Sequence, residues 1–108
     1  MARADALQGS LPLLVLKVLE RRGPLHGYGI TAHIESVSDL LRVEEGSLYP
    51  ALARMEEAGW IRAEWKTTEN KRRARYYQIT AAGRKELHEE ESRWTAISAA
   101  IGHALKEA

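Results

Sequence analysis

The chain has 108 residues, a net charge of +1, 44% hydrophobic and 29% charged residues, and no cysteine. That length builds one domain around one modest core. The missing thiols exclude disulfides and thiolate metal sites, and the near-neutral balance means that a polyanion would have to be met by a local patch rather than by bulk charge.

Residues 1–9 are expected to be loosely ordered, and Asp5 and Gln8 interrupt any likeness to a signal peptide. Ser10 can cap a helix that tolerates Pro12 in its first turn. Leu11, Leu13, Leu14, Val15, Leu16, Val18 and Leu19 make this helix apolar nearly all round, which predicts burial. The apolar run is too short to cross a bilayer, so no membrane partner is expected and the chain is placed in the cytoplasm. Gly23-Pro24 ends the helix. A second helix runs from about Gly27 to Val37, with Ile30, Ile34 and Val37 as its apolar stripe. Gly27 and Gly29 suit close backbone approach in its first turn.

The third helix spans Glu45 to Gly59. Leu48, Leu52, Met55 and Gly59 share one face, while Ser47, Tyr49, Pro50, Ala53, Arg54 and Glu57 fall on the other. Pro50 fits only near the start of a helix. A face of Tyr, Ser, Arg and small residues suits a nucleic-acid groove, because small residues permit approach and polar ones supply hydrogen bonds. Two strands follow, Trp60–Lys66 and Arg75–Thr80. Ile61, Ala63 and Trp65 alternate with Arg62, Glu64 and Lys66, and Tyr77 and Ile79 alternate with Tyr76 and Gln78, the pattern of half-buried strands. The segment between them is too long for a two-residue turn, which predicts a protruding tip. Lys66 to Arg75 carries five cations and one carboxylate, whereas Glu86 to Glu91 carries four carboxylates and no Lys or Arg. Thr80 caps a last helix reaching about Lys106, on which Leu87, Trp94, Ile97, Ile101 and Leu105 repeat about every 3.5 to 3.6 residues. At ~37 Å it outruns so small a domain, and a partner helix is expected over its distal half.

Three helices, a hairpin and a long terminal helix, in that order, describe a winged helix-turn-helix: mainly α (α+β), with a head over residues 1–80 and a dimerisation helix over 81–108 in a single structural domain. Three segments carry a closer match. Leu25-His26-Gly27-Tyr28-Gly29-Ile30, Gly46-Ser47-Leu48-Tyr49-Pro50-Ala51-Leu52 and Arg75-Tyr76-Tyr77-Gln78-Ile79-Thr80-Ala81-Ala82-Gly83-Arg84 resemble the PadR family of bacterial transcriptional regulators, and the resemblance covers nearly the whole chain. Leu41-Arg42-Val43-Glu44-Glu45-Gly46 and Glu69-Asn70-Lys71-Arg72-Arg73-Ala74 look like its acidobacterial-type branch, in place of the Gly-Gly-Arg-Pro-like wing of many members. The resemblance implies a homodimer of two winged heads joined by the terminal and first helices. It also implies a palindromic double-stranded DNA operator and, most often, repression.

On this reading the third helix enters the major groove with Ser47 and Tyr49 near base edges and Pro50 and Arg54 beside them. For Ser47 and Tyr49 the other reading is a capping or core role. Tyr28 matches a family position near the first turn of the second helix, where backbone amides can meet a phosphate; its other reading is a packing aromatic. Lys71, Arg72, Arg73 and Arg75 would hold phosphates or the adjacent minor groove, or else form a solvated turn. Leu87, Trp94, Ile97, Ile101 and Leu105 form the expected dimer interface. Trp94 is also a candidate contact for a small aromatic effector, since in some family members an aromatic on this arm lines a drug-binding pore between subunits. His26, His33, His88 and His103 show no tight ligand spacing, and no acid/base or nucleophile pairing is visible, so no metal, no cofactor and no enzyme activity are expected. The alternative function is a winged-helix module that binds protein without sequence-specific DNA binding. Salt-sensitive DNA affinity separates the two.

Overall fold

The computed structural model describes the backbone of residues 2–107 and the side chains of residues 9–44 and 46–107. The elements are α1 (Ala2–Arg22), β1 (Leu25–His26), α2 (Gly27–Val37), α3 (Glu45–Glu57), β2 (Ile61–Thr67), β3 (Arg73–Ile79) and α4 (Ala81–Glu107). The strands make one antiparallel sheet in the order β1-β3-β2. This is the expected winged helix, mainly helical and with a long C-terminal helix.

Leu11, Val15, Leu16 and Leu19 of α1, Ile30 and Ile34 of α2, and Leu48, Ala51, Leu52 and Met55 of α3 meet in one core. Ile61, Tyr77 and Ile79 close it on the sheet side, and Leu87 of α4 completes it. The stripe of α2 stops at Ile34, for Val37 stands at the helix end beyond the core's edge and is exposed. α1 starts earlier than its sequence suggests. Pro12 and Ser10 both lie inside it, so Ser10 is not its cap and residues 2–9 are helical rather than loose. The early turns lie along α4, where Gly9, Ser10 and Leu13 line one wall of a groove and Trp94 and Ile97 the other. Further along the same antiparallel pair, Lys17 Nζ is 3.0 Å from a Glu91 carboxylate oxygen and His88 Nε2 is 3.1 Å from Glu20 Oε2.

The two-residue strand β1 was not expected. It pairs Leu25 with Tyr77 and His26 with Tyr76. The β2–β3 ladder runs from Ile61↔Ile79 to Thr67↔Arg73, so Arg73 and Ala74 belong to a strand and the loop is short. There the Lys71 N–H donates to the Thr68 carbonyl at 2.9 Å and the Thr68 N–H to the Arg72 carbonyl at 2.7 Å. Lys71 takes a left-handed φ of 61° to close this turn. What projects is therefore the ladder itself, not a long loose tip.

The end of α3 and the start of α4 share a joint. Gly59, at φ 84°, lets the Gly59 N–H reach the Glu56 carbonyl and the Trp60 N–H the Met55 carbonyl, each at 3.0 Å. Thr80 then caps α4 as expected, its Oγ1 accepting from the Gly83 N–H at 3.0 Å. The same Oγ1 lies 2.6 Å from the Gly59 carbonyl oxygen and 3.0 Å from that of Trp60, to which its hydroxyl can donate, and the Trp60 carbonyl accepts the Thr80 N–H at 3.0 Å. Gly83 has no room for a side chain, since a Cβ would overlap the Trp60 carbonyl.

Candidate nucleic-acid interface

The buried face of α3 is Leu48, Ala51, Leu52 and Met55, which leaves Tyr49, Pro50, Ala53 and Arg54 facing outward, with Ser47 half-buried at their edge. Pro50 sits in the second turn rather than the first. The carbonyl it cannot bond belongs to Gly46, which is exposed, so water can satisfy it. Tyr49 is 54% exposed, and its ring is braced. A Cβ built on Gly27 would stand 2.5 Å from Tyr49 Oη, so the phenol lies across the bare backbone at the start of α2. The approach expected of Gly27 is thus an approach by Tyr49 itself.

Tyr28 is 79% exposed on the first turn of α2. The cap of that turn is His26, whose Nδ1 accepts the Gly29 N–H at 3.0 Å. Accepting there requires the neutral tautomer with its proton on Nε2. The ring is held edge-on to Tyr76, with centroids 5.3 Å apart. Capping by His26 is not legible in the sequence, because histidine is not one of the usual capping residues.

On the wing, Lys71, Arg72 and Arg73 are exposed, and among the described residues none of them meets a carboxylate at ion-pair distance. Arg75 differs. Its Nη2 lies 2.7 Å from Glu56 Oε2 on α3, so it ties the wing to that helix and is not a free phosphate anchor as the sequence suggests. Nearby, burial pushes the Tyr77 phenol above its ordinary pKa; Arg75 opposes the rise, while Glu56 and Tyr49 add to it.

The expected interface residues divide. Trp94, Ile97, Ile101 and Leu105 are all exposed along α4. Leu87 is 0% exposed within its own chain, because the first turns of α4 close the head's core, and it has no surface to offer a second copy. Among the described residues no group of three His, Asp or Glu could hold a metal ion, and no helix is long and apolar enough to cross a membrane.

Comparison with known proteins gives this geometry a family. The family model described as "Transcriptional regulator PadR-like family" matches residues 15–89. A transcriptional regulator from Clostridium thermocellum superposes with a TM-score of 0.81 at 31% identity, covering 92% of this chain and 96% of that one. Bacillus subtilis PadR, solved in complex with operator DNA, superposes with a TM-score of 0.64 at 29% identity over 73% of this chain and 45% of its own. An uncharacterised 37.1 kDa protein in a Streptomyces fradiae transposon is 48% identical over 68 residues, 63% of this chain, and the chain spans only 18% of that relative's length. The chain belongs to the PadR-like family of transcriptional regulators.

Proposed function

We propose that the chain binds a palindromic DNA operator as a homodimer in the cytoplasm and acts there as a repressor, with residues 1–80 as the DNA-binding head and 81–108 as the arm. One observation carries the reading. The outward face of α3, with Tyr49, Pro50 and Arg54, stands beside a wing whose Lys71, Arg72 and Arg73 have no carboxylate at ion-pair distance among the described residues. A polar face fit for a groove and uncompensated cations beside it are what a duplex needs from a small protein. The Bacillus subtilis relative with its operator supports the same use of the fold. The wing sequence Glu69 to Ala74 supports placing the chain in the acidobacterial-type branch.

Changing Lys71, Arg72 and Arg73 together to Ala should weaken binding to operator and random duplex alike. The slope of log affinity against log salt should shrink by about 2 to 3. An unchanged slope would remove the wing from the interface. DNA affinity that is absent at low salt would favour a protein-binding module instead.

Trp94 lies in a shallow groove of about 220 Å³ between α1 and α4, a place where a flat aromatic effector would stack. Such a ligand relieves repression only by binding the released geometry more tightly than the DNA-bound one. A Trp94→Leu dimer that still releases DNA at the same ligand concentration would reduce Trp94 to packing.

A further inference from the structure

The inner face of the wing continues after the core has ended. Its cross-strand pairs are Ile61 with Ile79, Ala63 with Tyr77, Trp65 with Arg75 and Thr67 with Arg73. The first two pairs lie on the core. The last two project past it, and Trp65 is left 55% exposed. Arg73 Cζ lies 5.5 Å from the centre of the Trp65 ring, within cation–π reach. Arg75, the direct partner of Trp65, is bonded to Glu56 of α3.

That bond sets which way this face looks. Glu56 follows Tyr49 by seven residues, two turns of helix, which puts both within about 20° of the same side of α3. The wing face bearing Trp65 is therefore continuous with the edge of α3 bearing Tyr49. Arg62, Glu64 and Lys66 stand on the opposite face of the sheet.

We infer that Trp65 is a DNA-contacting residue which, with Arg73 beside it, forms the wing surface that lies on the sugar-phosphate backbone beside the groove α3 enters. This rests on the DNA-binding reading above. The indole gives the deoxyribose an apolar plane. It also keeps the Arg73 guanidinium at the edge of that plane, within cation–π reach, where it can meet a phosphate with two parallel N–H groups. Arg75 is paired with Glu56, and among the described residues of this face Arg73 has no carboxylate at ion-pair distance. A purely structural role for the pair would be an exposed cross-strand contact, which affects hairpin stability alone.

The test uses the full chain and a duplex of about 30 base pairs, long enough for two half-sites one turn apart, selected by the protein from a random pool. Binding should change the tryptophan emission of the wild type, and most of that change should vanish in Trp65→Phe. Trp65→Thr, which keeps a strand-favouring residue, should lose affinity about tenfold with little change in thermal midpoint. Arg73→Lys should keep the salt slope and still lose affinity about threefold, because charge is retained and the two-pronged guanidinium is not. Unchanged affinity in Trp65→Thr with an undiminished emission change in Trp65→Phe would overturn the inference and leave the DNA-binding reading standing. So would a loss in Lys66→Ala with none in Trp65→Thr, which would put the other face on the DNA. A wild-type protein that binds no duplex overturns that reading and the inference with it.

Discussion

Gly27 and Tyr49 decide each other's position. With a Cβ on residue 27, Tyr49 Oη would be at 2.5 Å and Cζ at 2.9 Å, and the phenol is the partner free to move. Gly27→Ala should therefore swing the ring off its perch and cost about 1 kcal/mol or less, because what the new methyl meets is the far end of a half-exposed side chain. In a Tyr49→Ala background the same change should cost little, and a double-mutant cycle by chemical denaturation checks this. Additive losses would mean that the two do not touch. Tyr77 makes a prediction of the opposite kind, about pH. Burial, with Glu56 and Tyr49 adding to it against Arg75, raises its pKa above the ordinary 10.0. The neutral phenol's contribution to stability is thus complete below pH 10 and is lost as pH climbs through the raised value. Tyr77→Phe cannot ionise, so its stability relative to wild type should improve between about pH 9 and about pH 11 in urea titrations. A constant difference would show the phenol to be unperturbed.

The wing shows what an element's ends demand. Lys71 holds a left-handed φ of 61°, a conformation that costs a residue with a Cβ roughly 1 to 2 kcal/mol. Lys71→Gly should raise stability by about 1 kcal/mol while lowering the salt slope of DNA binding by about 1. Both are read from one protein preparation, and stability falling with the charge would refute the turn geometry. The elements themselves were legible because their periodicity is strong. Ile30, Ile34, Leu48, Leu52 and Met55 repeat at helical spacing and are buried, and Thr80 caps as its position suggests. What stayed illegible depends on a neighbour. β1 is two residues long and exists only because β3 offers it a ladder edge. Arg75 reads as one more wing cation until Glu56, nineteen residues earlier, comes into contact with it. Trp65 alternates like a core residue, but alternation cannot say how far along a strand the core extends.

The molecule measures 56 × 28 × 21 Å, and the long axis reflects the 27 residues of α4, about 40 Å of helix. Trp94, Ile97, Ile101 and Leu105 form an open stripe along its distal part. If that stripe closes a dimer, Ile97→Glu combined with Ile101→Glu should sediment as a monomer at micromolar concentration with its helical spectrum largely intact. A double variant that stays dimeric would place the interface elsewhere. The joint at Trp60 bears on how such an assembly works. One residue's backbone there both finishes α3, through its N–H to Met55, and anchors the start of α4, its carbonyl accepting the Thr80 N–H. Arm and α3 thus share one backbone anchor. A tilt of about 5° in a 40 Å rod carries its far end about 3 Å, and in a dimer the blade would turn with the rod. If two copies pair through the stripe, their heads would change the spacing of about 34 Å between half-sites by re-aiming with the arms, and a signal from the arm would pass through the Trp60 joint.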